Sequence, residues 1–297
     1  MKTRLGLFVL TLLLLPFAGF WLSDAQWYPL TTDTPAAITN PPATLLTTLM
    51  MAGYIFLINH IINLLTGNNP LKLQRTYMLW MAGAGAILAW LLVYLNLYVS
   101  NWTIQPENQV LQLLLYTPLF ATLTPAVLST RTLLGSLPGA LKYLSRGIAL
   151  PTLSDETLIF SMTAIIVTGL LGGAVWPDRL FWLLWLSPLF LLVTLQLLWH
   201  ESTIFDGLAR GDWGRLVFAS LSGIAVSNFV IFAYQTNGGI IRINLPNLLL
   251  AQLGFAVFGM LCLQLGDVIA ENWRGKQRGA MFRQKKKFPI PIVVKKS

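Results

Sequence analysis

Charged side chains are scarce in this sequence. Asp, Glu, Lys and Arg together make up 10% of its 297 residues, whereas hydrophobic residues make up 55% and the mean hydropathy is +0.66. A soluble globular domain carries about 25% charged residues, because it must cover its surface with them. The scarcity of charge therefore excludes a water-soluble globular protein and leaves lipid as the solvent in which the chain folds.

Cysteine and histidine are also nearly missing. Cys262 is the one cysteine, so the chain cannot form an intramolecular disulfide or a cysteine-based metal site. His60 and His200 do not stand in a metal-binding spacing such as HxxxH or HExxH. The sequence therefore predicts no metal site, and it predicts no cofactor.

Long apolar runs are what the sequence has in abundance. Each of eight runs is long enough to cross about 30 Å of hydrocarbon, and a helix is required there because it satisfies its own backbone hydrogen bonds. The sequence predicts an all-α integral membrane protein of about eight transmembrane helices, forming a single polytopic membrane domain over residues 1–271. The predicted segments are Leu5–Leu22, Thr44–Leu65, Tyr77–Val99, Val110–Ser129, Leu158–Trp176, Leu180–Leu198, Leu216–Tyr234 and Leu248–Ile269.

The placement of Lys and Arg predicts how these segments are oriented. With the N-terminus in the cytoplasm, eighteen of the twenty basic residues fall on the cytoplasmic side, and Arg179 and Arg242 fall outside. Cytoplasmic loops are enriched in Lys and Arg, and adding or removing one helix would scramble this sorting. Both ends are therefore predicted in the cytoplasm, and we expect an integral protein of the bacterial inner membrane.

The first apolar segment has a second interpretation. Lys2 and Arg4 before an apolar run, with small residues at Ser23 and Ala25, also describe a cleaved secretory signal peptide. The run is about 18 residues long, which exceeds the usual signal core of 7–15 residues. Its length and Pro16 within it favour a retained transmembrane helix.

Two cytoplasmic stretches carry clustered basic residues. Between 137 and 150, apolar residues recur at helical spacing with Lys142 and Arg146 on another face, which predicts a short interfacial helix; a partly buried connecting loop fits equally well. The cytoplasmic tail over residues 272–297 has nine basic residues and no acid, which favours contact with anionic lipids over nucleic acid. The predicted headgroup contacts are Lys142, Arg146, Arg274, Lys276, Arg278, Arg283, Lys285, Lys286 and Lys287.

A sparse set of ionisable residues gathers at the predicted cytoplasmic edge. Histidines and carboxylates at similar depth could form an acid–base pair that processes lipid headgroups. Polar residues at helix ends are more often anchors or caps, and an Asp paired with an Arg in the loop between 199 and 215 is the simpler interpretation. The candidate residues are His60, His200, Glu201, Asp206, Asp212 and Asp267.

Uncharged polar side chains occur inside several segments and allow a further hypothesis. A permease for a neutral or lipid-like solute would arrange Gln112, Gln196, Asn228 or Gln252 along a continuous polar path between helices. The simpler alternative is that these groups bond neighbouring helices to each other while small residues such as Gly223 allow close packing.

An N-glycosylation sequon lies outside the membrane in this topology. It consists of Asn101, Trp102 and Thr103 in a short loop between two predicted helices. Such a loop stays close to the membrane surface, so we expect no glycan at Asn101.

Three functions fit these observations. The preferred one is a non-catalytic membrane component, which acts as a scaffold, assembly factor or subunit together with other membrane protein subunits. It follows from the lack of buried charge, the small packing residues and the short loops. The alternatives are the permease and the lipid-headgroup enzyme.

Overall fold

The computed structural model describes residues 41–104, 109–137, 139, 144–151 and 154–273. Within them lie seven helices that are long and apolar enough to cross a membrane. They are α1 (Pro41–Thr66), α3 (Arg75–Val99), α4 (Gln109–Gly135), α5 (Asp155–Val175), α6 (Pro177–Leu198), α7 (Gly214–Thr236) and α8 (Leu248–Trp273). A one-turn helix α2 (Pro70–Leu73), two short strands, β1 (Trp102–Ile104) and β2 (Ile241–Ile243), and a 3₁₀ turn at Leu208–Arg210 complete the elements.

The prediction of an all-α multi-pass membrane protein is confirmed. The seven long helices coincide with seven of the eight predicted segments. The first predicted segment, Leu5–Leu22, lies outside the described residues, as does the tail from Arg274 onward.

Several helices extend beyond their predicted ends into polar sequence, and α4 and α5 show why. Helix α4 continues to Gly135 because the hydroxyls of Thr130 and Thr132 donate to carbonyls one turn earlier, each at 2.8 Å, and so need no water. Helix α5 begins at Asp155 because the Ser154 side chain caps it and two acidic residues occupy its first turn. Both features stabilise a helix N-terminus.

The two strands tie together the loops at one end of the bundle. They pair antiparallel, with Trp102 opposite Ile243 and Ile104 opposite Ile241. Because β1 lies between α3 and α4 and β2 lies between α7 and α8, these four helices all have one terminus here. Asn237, after α7, donates to the Thr47 hydroxyl at 3.4 Å and brings the start of α1 to the same place. We call this the sheet end.

The opposite end of the bundle carries most of the described basic residues, and we call it the basic end. Arg131 near the end of α4 and Arg215 at the start of α7 lie here. The loop after α6 reaches the same end, because the backbone N–H of Ile204 donates to Gln264 of α8 at 3.1 Å. The described helices therefore alternate in direction, as the predicted topology requires.

Helix α4 lies at the centre and packs against α1, α3, α7 and α8, while α5 and α6 form a hairpin attached through α6 to α8. Small residues set the closest approach, which is between α7 and α8. A Cβ atom added to Gly259 would lie 2.7 Å from the Cα of Gly223. Such contact gives favourable van der Waals packing where lipid tails supply no hydrophobic drive. Gly223 therefore serves the packing role predicted for it.

The stretch predicted as an interfacial helix, 137–150, falls partly outside the described residues, and Lys142 is among the residues left out. Its described part from Ser145 onward is a turn followed by extended chain, with Arg146 exposed. Gly147 donates to Gly211 at 2.9 Å and Trp213 donates to the Ile148 carbonyl at 2.9 Å. From Ser145 onward the segment packs on the loop after α6, whereas Leu144 is helical and 140–143 lie outside the described residues, so the interfacial helix stays a prediction.

Candidate functional site

The two aspartates of the loop after α6 serve that loop. Asp206 accepts hydrogen bonds from the backbone N–H and the hydroxyl of Thr203, at 3.0 and 2.7 Å. Asp212 accepts from the backbone N–H of Gly214 at 3.0 Å, where α7 begins. Short polar side chains commonly fix turns and helix starts in this way. Their contacts match the capping role considered for them.

Asp267 takes part in a charge cluster that joins four helices at the basic end. It pairs with Arg215 at the start of the neighbouring α7. The sequence suggested an Asp–Arg pair within the loop between 199 and 215, whereas the partner of Arg215 lies on α8. Arg131 on α4 and Tyr77 on α3 lie within electrostatic range of Asp267, as does Glu271 one turn further along α8. Two guanidinium groups facing two carboxylates compensate each other, which lowers the cost of placing them near lipid.

The three remaining candidates lie on parts of the bundle that pack against different helices. His60 is exposed on α1, which packs mainly on α4 and α7, whereas His200 is exposed after α6, which packs mainly on α5 and α8. Glu201 is buried next to His200, and its backbone N–H donates to Gln196. In the described part of the chain, no group of three or more His, Cys, Asp or Glu side chains could hold a metal ion. The geometry thus supplies no single site that contains all six candidates.

Two of the four polar side chains proposed for a solute path pair with each other across a helix contact, whereas among the described residues neither polar side-chain atom of Gln196 has a partner. Asn228 of α7 and Gln252 of α8 hydrogen-bond to each other twice, at 2.8 and 3.1 Å. Gln196 is fully buried in α6, and Gln112 is half-buried near the start of α4. None of these four described side chains lines the apolar cavity at the sheet end, which is described next. The contact between Asn228 and Gln252 is the interhelical bonding that the simpler alternative predicted.

A cavity at the sheet end is lined almost entirely by apolar side chains. It has a volume of about 260 Å³ and is partly open to its surroundings. Its walls come from α3, α4, α6, α7 and α8, and its roof comes from the two strands. Small-molecule sites are concave and mostly apolar, with few polar groups. The lining residues are Ala89, Leu92, Val93, Leu95, Asn96, Asn101, Trp102, Tyr116, Leu119, Phe120, Leu123, Trp185, Ser227, Val230, Ile231, Tyr234, Ile241, Ile243, Leu245, Ala251, Gly254, Phe255, Val257, Phe258 and Leu261.

Aromatic residues hold the cavity walls in place. Tyr116 of α4 and Tyr234 of α7 share a hydrogen bond of 2.9 Å between their hydroxyls, so neither hydroxyl is left unsatisfied in an apolar wall. The ring of Phe120 packs edge-on against Trp90 at 5.3 Å. Gly254 lies next to the Trp185 ring, where an added Cβ would be 3.1 Å from the indole. These contacts fix the positions of the helices around the cavity.

Two asparagines stand at the roof. Asn96 is satisfied, because its amide donates to the Trp102 carbonyl at 2.7 Å and accepts from the Trp102 N–H at 3.3 Å. Asn101 is only 4% exposed, and its carbonyl accepts from the N–H of Asn244 at 2.7 Å. Within the described part of the chain, the side-chain nitrogen of Asn101, Nδ2, is buried without a hydrogen-bond partner. This burial leaves the sequon asparagine inaccessible to a glycosylating enzyme in the folded protein.

The cavity could hardly be predicted from the sequence, because it is formed by the absence of side-chain volume between helices. In a membrane sequence, polar and ionisable residues indicate candidate sites, whereas this lining has no charged residue. The sequence does contain a signal for the roof. Two short alternating apolar runs, with Trp102 and Ile104 in one loop and Ile241 and Ile243 in another, indicate the strands that pair there. Comparisons with protein-family models, curated proteins and solved structures found no match.

Proposed function

We propose that this protein is a non-catalytic membrane component that binds a lipid-like molecule in the cavity at its sheet end. The observation that carries the proposal is the apolar lining of a preformed cavity of about 260 Å³ between five helices. An apolar space that is open to its surroundings but left unfilled forfeits dispersion contacts for the side chains that line it. An apolar molecule that enters from the bilayer restores those contacts.

The position of the cavity suits an occupant from one leaflet. The lining residues of α3 belong to its C-terminal half, and those of α4 and α8 belong to their first halves except Leu123 and Leu261 near the midpoints, so most lie towards the sheet end. The distribution of basic residues predicts that the sheet end faces outward, which would place the occupant in the outer leaflet. The bacterial inner membrane stays the predicted location.

The charge cluster and the caps support a non-catalytic role. Asp206 and Asp212 fix a loop, and Asp267 compensates Arg215. We also propose that the protein works within a complex of other membrane subunits and that its basic tail contacts anionic lipids. A stoichiometric protein that copurifies in mild detergent would support the subunit role, and a stable lone monomer would contradict it.

Ala89→Phe tests whether the cavity holds a ligand. Ala89 lines the cavity and is 6% exposed, so a phenyl ring there occupies space that a bound chain would need. We expect the wild-type protein, purified gently from its membrane, to carry about one lipid-like molecule per chain. We expect Ala89→Phe to carry about tenfold less, which corresponds to a loss of roughly 1.4 kcal/mol of affinity. Native mass spectrometry with extraction and identification of the bound molecule measures both.

Gly83→Phe is the matched control. It adds the same ring to the same helix, but at an exposed position where an added Cβ meets no neighbouring atom. The control should retain the ligand at the wild-type level. Equal ligand content in Ala89→Phe and Gly83→Phe, or a wild-type protein without a bound apolar molecule, would contradict the proposed function.

A further inference from the structure

We propose that Asn101 recognises a hydrogen-bond acceptor oxygen on the molecule in the cavity, so that the ligand is a neutral lipid with an ester or similar carbonyl. This inference rests on the proposed function and specifies the ligand class. It follows from the position, burial and unsatisfied amide of Asn101, together with the lack of charge around it.

An unsatisfied amide at this place is costly. Asn101 is only 4% exposed, and no described residue offers its side-chain Nδ2 a hydrogen-bond partner. Buried polar groups are hydrogen-bonded in the large majority of cases, and each exception calls for an explanation such as a binding role. A ligand oxygen in the cavity that Asn101 lines would supply the missing acceptor.

The backbone holds Asn101 firmly at the cavity roof. Ser100 before it adopts a left-handed conformation with φ of 47°, which ends α3 and turns the chain into β1. The Asn101 carbonyl accepts from the N–H of Asn244, and the Asn244 side chain donates to the Ser100 carbonyl at 2.9 Å. Because both flanking loops are joined this way, the backbone that carries the amide is held in place. Preorganised donors lose little entropy when a ligand binds.

The shape of the cavity sets the orientation of the ligand. Asn101 stands at the sheet end, whereas Ala89, Leu123 and Leu261 lie deepest in the bundle. Leu123 follows the start of α4 by fourteen residues, which is about 20 Å along a helix axis. One leaflet of a bilayer is about 15 Å of hydrocarbon deep. The cavity therefore accommodates a chain that runs from a polar group at the roof towards the membrane centre.

The lining also selects against charged headgroups. Its described members include no Lys, Arg, Asp or Glu, so a phosphate or an ammonium group inside would lack a counter-charge. Asn96 is already engaged with the Trp102 backbone. The geometry thus points to one carbonyl or similar oxygen opposite Asn101, joined to a long apolar chain.

A pair of brominated probes tests this inference on the purified full-length protein. Bromine quenches indole fluorescence on contact, and Trp102 and Trp185 line the cavity. One probe is the methyl ester of dibromooctadecanoic acid, and the other is dibromooctadecane, which has no oxygen. We expect the wild-type protein to bind the ester about tenfold more tightly than the hydrocarbon, because only the ester accepts a hydrogen bond. Asn101→Leu should remove this preference by weakening the ester alone.

The outcomes separate this inference from the proposed function. Ala89→Phe should weaken both probes and Gly83→Phe neither, which assigns the quenching to the cavity. If both probes bind the wild-type protein equally, the Asn101 inference is wrong while the cavity function stands. If neither probe quenches, the proposed function fails as well. The comparison of two probes on the unaltered protein needs no substitution, so it decides the question even if Asn101→Leu does not fold.

Discussion

Gly259→Leu is expected to destabilise the protein by about 3 kcal/mol or more, because it forces α7 and α8 apart. An added Cβ would lie 2.7 Å from the Cα and the backbone nitrogen of Gly223. These are backbone atoms of a packed helix, so they cannot rotate away as a flexible side chain could. Leucine favours a helix over glycine by about 1 kcal/mol, which is too little to offset the clash.

Thermal unfolding in detergent measures this effect. In a chain of this size, 1 kcal/mol shifts the unfolding midpoint by about 2–4 °C, so we expect a decrease of roughly 10 °C or a loss of monodisperse protein. Gly83→Leu is the control, because its Cβ meets no neighbouring atom on the exposed side of α3. It should be neutral or slightly stabilising. A Gly259→Leu protein as stable as this control would contradict the close approach of α7 and α8.

Cysteines placed at the two ends of the bundle should react from opposite sides of the membrane. Cys262 is fully buried in the bundle, so we expect no background labelling from it. Arg242→Cys lies in β2 at the sheet end, and Asn68→Cys lies between α1 and α2 at the basic end; both positions are exposed.

A membrane-impermeant maleimide applied to intact cells should label Arg242→Cys completely. Asn68→Cys should react only after the membrane is permeabilised, because the basic end is predicted to face the cytoplasm. Labelling of the unaltered protein gives the background. Reaction of both cysteines from the same side would contradict the alternating helices, and reversed labelling would overturn the orientation predicted from Lys and Arg.

The helices were predictable because membrane insertion is decided by local composition. The runs Tyr77–Val99 and Leu248–Ile269 lie within observed helices of nearly the same length. Errors arose where a polar residue continues a helix through a local bond, as at Thr130, or where a cap begins one, as at Ser154. These contacts depend on a side-chain geometry that hydropathy does not register.

Pairings between distant parts of the chain were not predictable from the sequence. Asp267 and Arg215 are 52 residues apart, and Tyr116 and Tyr234 are 118 apart. The antiparallel pairing of β1 and β2 also joins two loops that are separated by four helices. Single-sequence periodicity describes one element at a time, so it cannot show which helix ends meet or where they leave a cavity.

Asn101 illustrates the same limit. In the sequence it is part of a sequon in a short loop, and its neighbours say only that it lies near the membrane surface. Asn101 is a binding candidate because it is buried and because its side-chain Nδ2 has no partner among the described residues. The loop that carries Asn244 covers it and bonds to its backbone carbonyl. A polar residue in an outer loop becomes a binding candidate only when the fold encloses it.

An experimental density map of the protein in nanodiscs of its native membrane lipids shows directly whether the cavity holds a ligand. We expect elongated density inside the cavity, which starts beside the Asn101 amide and runs past Phe258 towards Leu261. The same density should be missing from a map of Ala89→Phe. A wild-type cavity that is empty, or that is closed by inward movement of its own side chains, would contradict the claim that this protein binds a lipid-like molecule.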